Sequence, residues 1–245
     1  MPINPNDLPA IQQLQRGQFA YPDIPFADGP LKRTSTTILG AYSTIMNCGL
    51  GQYLDDLTPD WKRKANIQWQ NKMIETINNS LVQMINFYRE NPNDELLTRI
   101  FIRIQLWGGK MGQGVFTRGK RFQGNFDVGA YKEAVSIVDE NPKEALRRLL
   151  CMAQIGLSFA TKHLFFWGTN LPILDERIMM LLYGNTLLPP GEIRKVNLYM
   201  NYIDNLDGIV GNDSDLSRLI VERSLFNWID TPHGVQWCCI REANG

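Results

Sequence analysis

Apolar residues recur at three- and four-residue steps over much of this chain, and no long alternating strand pattern interrupts them. Ile67, Ile74, Ile77, Leu81, Met84, Ile85 and Tyr88 form the longest series. Thr58-Pro59-Asp60 opens it, with proline at a first helical position, where its missing N–H costs nothing. Asn91-Pro92-Asn93-Asp94 breaks that helix and caps the next, whose buried face is marked by Leu97, Ile100, Phe101 and Ile104. Asn141-Pro142 starts another, with Leu146, Leu149, Leu150 and Ala153 on one side. Two more helices are predicted over 190–207 and 213–230, opened by Pro190-Gly191-Glu192 and by Asn212-Asp213-Ser214-Asp215. The stretch from Thr37 to Met46 fits helix or strand. The pattern predicts an all-α, or mainly α, fold: an extended N-terminal arm over 1–35, rich in Pro, Gln and Gly, and a helical domain over 36–245.

Composition narrows the function classes. The chain has 245 residues, 44% hydrophobic and 20% charged, enough for a substantial core. Lys+Arg and Asp+Glu are each 25, so the formal charge is zero. That argues against non-specific coating of nucleic acid but leaves room for a local basic face. The glycine-rich stretch 108–124 is such a candidate: it carries Lys110, Arg118, Lys120 and Arg121 and no acid. It lacks the Gly-Lys-Ser/Thr ending of a nucleotide-binding loop. It reads as a basic loop on a DNA backbone or as a solvated connection. Two histidines and four scattered cysteines give no metal-ligand spacing, and no cofactor is implied. With no apolar run of membrane length and no signal pattern, a reduced, soluble, cytoplasmic monomer is expected.

The densest chemistry lies between 144 and 187. Leu146 to Ile155 reads as one helix, Gly156 to Ala160 as a turn of small residues, and Thr161 to Trp167 as a second helix, so that a helix–hairpin–helix falls at about 144–168. This puts Lys162 at a helix start among Phe159, Phe165 and Phe166, where desolvation and the helix dipole both favour the neutral, nucleophilic amine. A second helix of about eight residues is roughly 12 Å long. The segment from Thr169 to Leu174 can span roughly 20 Å, enough to return Asp175 toward Lys162. Pro172 favours an extended approach, and Asp175 can cap a helix over 176–183. An amine and a carboxylate are the groups needed to attack a sugar carbon and to stabilise the cation that forms there. Hairpin N–H groups around Ser158, Ala160 and Thr161 can grip a DNA phosphate without net positive charge. His163 can reach phosphate or lie on the helix surface, and Arg177 can meet phosphate or pair with an acid. Ahead of the basic loop stand Gln105 and Trp107.

Ser158-Phe159-Ala160-Thr161-Lys162 and Pro172-Ile173-Leu174-Asp175 resemble the catalytic hairpin and acidic motif of the helix–hairpin–helix DNA glycosylases, in particular the 8-oxoguanine DNA glycosylase fold. Gln105-Leu106-Trp107-Gly108-Gly109-Lys110 is similar to a bacterial branch of that fold. Ser158 and Ala160 stand where the family has glycines, and one extra residue separates Pro172 from Asp175. The resemblance implies that Lys162 attacks deoxyribose C1′ and forms a Schiff base. It implies that Asp175 assists departure of the base, with strand cleavage able to follow. The DNA glycosylases flip their base, so the resemblance also implies that Trp107 can stack on that base and Gln105 can read its edge. Trp107 fits a core position equally well. The expected partner is double-stranded DNA bearing a damaged or modified base, an oxidised purine by resemblance. A defence enzyme acting on modified phage DNA and a non-catalytic helix–hairpin–helix DNA-binding protein are the alternatives.

Overall fold

The computed structural model describes residues 41–55, 57, 67–108, 126–183, 187–212 and 217–228. Among them the regular structure is helical, and no strand occurs. The expected arm over 1–35, the helix start at Thr58 and the basic loop with Lys110, Arg118 and Lys120 lie outside the described residues. Residues 41–47, open to either reading in sequence, are helical. A short 3-10 turn, Gly51–Tyr53, follows. Eight α-helices then run α1 Ile67–Glu90, α2 Asp94–Trp107, α3 Val128–Ser136, α4 Pro142–Cys151, α5 Leu157–Trp167, α6 Glu176–Tyr183, α7 Glu192–Val210 and α8 Arg218–Trp228. The described residues up to Trp167 belong to one compact unit and those from Gly168 onward to another.

In the first unit, α1 packs on α2, α3 on α4 and α4 on α5, and α2 also meets α3 and α5. Short polar side chains set the starts. The Asn93 side chain accepts the Leu96 N–H at 2.8 Å, Asp127 that of Ala130 at 2.9 Å, and Asn141 that of Glu144 at 3.0 Å. Each satisfies a donor that the first helical turn leaves without a partner. On α1 the expected stripe is observed at Ile77, Leu81, Ile85 and Tyr88, all buried. On α2, Leu97, Ile100, Phe101 and Ile104 are buried as expected, but so are Ile102, Arg103, Gln105 and Leu106. The C-terminal half of α2 is therefore enclosed on every side. Arg103 survives there because its guanidinium donates to Tyr53 O at 3.2 Å and to Ser80 Oγ at 3.0 Å. Burial still lowers its pKa to about 10.

Helix α3 has no counterpart in the predicted elements, although Asp127 is an ordinary cap. It contributes Tyr131, which is fully buried. In the second unit α8 packs on both α6 and α7. Two buried tyrosines of α7 hold the extended segment ahead of α6. Tyr199 donates to Pro172 O at 2.8 Å and Tyr202 to Ile173 O at 3.2 Å.

Candidate functional site

The boundaries of α4 and α5 relocate the hairpin. Helix α4 ends at Cys151, with Met152 extended, rather than continuing to Ile155. The connection is Met152–Gly156, in which Gln154 takes a left-handed φ of 65° and Ile155 is buried. The Gly156 carbonyl accepts the Ala160 N–H at 2.9 Å, so the helix begins at Leu157, four residues before the predicted start. The small residues that read as a turn are helical for a physical reason. Leu157, Ala160, Thr161 and Leu164 recur at helical spacing and all are buried, and their modest size lets α5 lie close to its neighbours. Ser158 and Ala160 are thus helix residues rather than hairpin residues.

Lys162 is consequently the sixth residue of α5 instead of lying at its start. Its amine nonetheless returns to the head of the helix. Side chains on a helix lean toward its N-terminus, so a long one reaches the residue one turn earlier. Nζ lies 2.8 Å from Ser158 Oγ and 3.3 Å from Ser158 O, and 4.7 Å from the centre of the Phe159 ring. Lys162 is 9% exposed, whereas Ser158 is the more open of the two. The positive end of the helix and partial burial disfavour the ammonium, while two oxygen acceptors and a ring face favour it. The Phe159 ring lies against Gly108, at the end of α2, where a Cβ would overlap it.

His163 departs from both readings made of it. It is neither on the helix surface nor placed to touch phosphate, because it is wholly buried. Trp167 Nε1 donates to Tyr131 Oη at 2.8 Å, and Tyr131 Oη lies 2.8 Å from His163 Nδ1. On the other side of the imidazole, Gln105 Nε2 lies 2.9 Å from His163 Nε2. With the Gln105 amide donating, the ring proton sits on Nδ1 and points to Tyr131. The Phe101 ring stacks on the imidazole, with centroids 5.0 Å apart. Burial, and secondarily the Lys162 charge, push the His163 pKa down to about 3. This neutral imidazole ties α2, α3 and α5 together.

The same network decides Gln105. Its side chain is spent inside the core on His163, out of reach of a base edge. Trp107 is 8% exposed and belongs to an aromatic cluster, stacked on Phe165 at 6.1 Å and edge-on to Phe166 at 5.0 Å. Of its two sequence readings, the core position is the one the geometry matches. Ala160 and Thr161 are fully buried, so their side chains face the core too. Tyr131, which the sequence reading passed over, is the centre of the polar network. Its only prior signal was a tyrosine following an Asp127 cap at helical distance.

Asp175 stands in the second unit and caps α6, as expected. Its Oδ1 accepts the Arg177 and Ile178 N–H groups at 3.0 and 3.1 Å, and its carbonyl accepts that of Met179 at 2.9 Å. Arg177 lies over the Phe226 ring at 4.6 Å, which gives its guanidinium an aromatic neighbour. The carboxylate is half-buried, and Tyr199 and Tyr202 hold the backbone just before it. No group of three or more His, Cys, Asp or Glu residues that could hold a metal occurs among the described residues. No described helix is long and apolar enough to cross a membrane.

The class of protein that fold and site define is therefore an all-α one, with a helix–turn–helix carrying a buried lysine in one unit and a helix-capping aspartate in the other. Comparison with known protein families, with curated proteins and with solved structures finds no match.

Proposed function

We propose that this chain is a DNA glycosylase of the helix–hairpin–helix kind, acting on a damaged or modified base in double-stranded DNA. The observation that supports it best is the Lys162 amine, turned back to the head of α5 beside the Met152–Gly156 turn. An amine in that position, partly desolvated and carried on a rigid helix, is suited to nucleophilic work. The open backbone of the turn and the first N–H groups of α5 supply a phosphate grip of the kind a neutral protein needs. In the reaction, the neutral Lys162 amine forms a bond to deoxyribose C1′ as the bond from C1′ to the base breaks. The electron pair leaves with the base, which takes up the proton that the lysine nitrogen gives up. By resemblance, the carboxylate that stabilises the positive charge developing on the sugar is that of Asp175. Ring opening then gives a Schiff base, from which β-elimination can cut the strand. An oxidised purine is the favoured base, and a modified base in phage DNA the second.

The test is borohydride trapping with duplexes carrying 8-oxoguanine, other modified bases or an abasic site. A covalent adduct that disappears in Lys162→Gln supports the reading. No adduct with any duplex, together with unchanged behaviour of Lys162→Gln, removes it. Base release that survives Lys162→Gln but not Asp175→Asn replaces the amine by water as nucleophile. DNA binding without base release leaves the non-catalytic binding protein.

A further inference from the structure

The hairpin reading gave Ser158 only a place in a phosphate-gripping turn, yet its hydroxyl accepts from the Lys162 amine at 2.8 Å. Its carbonyl is a second acceptor at 3.3 Å. A free lysine side chain samples many rotamers, and fixing it costs about 1.5–2 kcal/mol of entropy. Two acceptors one helical turn back and the Phe159 ring at 4.7 Å draw the amine toward the first turn of α5. The carbonyl belongs to the backbone and would be present with any residue at 158. The hydroxyl is what the choice of serine adds, within the first turn of α5, where the side chain is only half-buried.

We infer that Ser158 is a positioning residue that latches the Lys162 amine over the first turn of α5, aimed at the substrate side of the Met152–Gly156 turn. This rests on the glycosylase reading for its purpose, but the latch itself can be read without DNA. Ser158 forms no covalent bond in the reaction. It sets where the amine is when the sugar arrives, and misplacement of a reacting group by about 1 Å can cost about 100-fold in rate.

The experiment compares the full chain with Ser158→Ala and Ser158→Thr. Alanine is the best helix former and the site is half-buried, so the alanine variant keeps the fold. Two quantities are read. One is the single-turnover rate of borohydride-trapped adduct, alongside the dissociation constant for the same duplex. The other is labelling of Lys162 by trinitrobenzenesulfonate in the absence of DNA, followed by peptide mass spectrometry. Ser158→Ala is expected to slow adduct formation by about tenfold or more while duplex affinity stays within about twofold. Its Lys162 should label faster, because the amine loses one of its acceptors. Ser158→Thr, which keeps the hydroxyl, should restore both. The latch is overturned if Ser158→Ala matches the parent in labelling, or if threonine restores neither quantity. If the parent yields no adduct with any duplex while labelling still follows the hydroxyl, the glycosylase reading fails and the latch stands.

Discussion

Replacing His163 with glutamine isolates the energetic consequence of burying a titratable ring. The folded protein holds this imidazole neutral, with a pKa of about 3 against an ordinary 6.5. An unfolded chain binds a proton there as pH falls below 6.5, and the folded one does not until pH 3. Stability from this residue is therefore full above pH 6.5, declines as pH drops through the window, and levels off near pH 3. Each pH unit well inside the window removes about 1.4 kcal/mol. Between pH 7 and pH 4.5 the loss comes to about 2.5 kcal/mol, a sizeable share of a typical domain's 5–15 kcal/mol. Glutamine is neutral throughout and can keep only part of the bonding to Gln105 and Tyr131. It should cost about 2–3 kcal/mol at pH 7 through unmade buried hydrogen bonds. The variant lacks the acid penalty, so its deficit relative to the parent should nearly vanish by pH 4.5. Urea unfolding followed by circular dichroism at several pH values measures this directly. A deficit that stays constant to within about 0.5 kcal/mol across that range would refute the neutral, enclosed imidazole.

Tyr131→Phe removes the hydroxyl shared by Trp167 and His163 and leaves two buried ring nitrogens short of a partner. Chemical denaturation should show a loss of about 2–4 kcal/mol, and a neutral result would mean that water fills the gap. Gly108→Ala pushes a methyl group into the Phe159 ring. The expected loss is about 1–3 kcal/mol, accompanied by altered labelling of Lys162, whose amine rests against that ring. Asp175→Ala should lose about 1 kcal/mol with the α6 cap, while Asp175→Asn should lose little, since asparagine caps as well. Base release abolished in the asparagine variant at unchanged melting temperature would separate the carboxylate's chemistry from its capping; full activity there would deny it a chemical role.

The all-α class and several elements were legible because their signals are local. The α2 and α4 caps depend on one short side chain and the next three residues. The α1 stripe is a matter of period alone, and Asp175 caps α6 whatever surrounds it. The start of α5 was misread for the complementary reason. Small residues favour a turn when considered singly, but here they let a helix pack closely, and only the neighbouring helices reveal that. Moving that start by four residues changed the surroundings of every candidate on the segment, because one helical turn decides what each side chain meets.

By itself, then, the sequence determined that the chain is helical and where α2, α4, α6 and α7 begin, and it singled out Lys162 and Asp175 as candidates. Tertiary structure alone decided their immediate partners and the fate of the others. Ser158 became the companion of Lys162 because packing starts α5 at Leu157, which sets the two one helical turn apart. His163 and Gln105 left the list of surface contacts because α2, α3 and α5 close around them. Burial and hydrogen bonding join residues tens of positions apart, from Gln105 through His163 to Tyr131 and Trp167, and no local period along the chain carries that information.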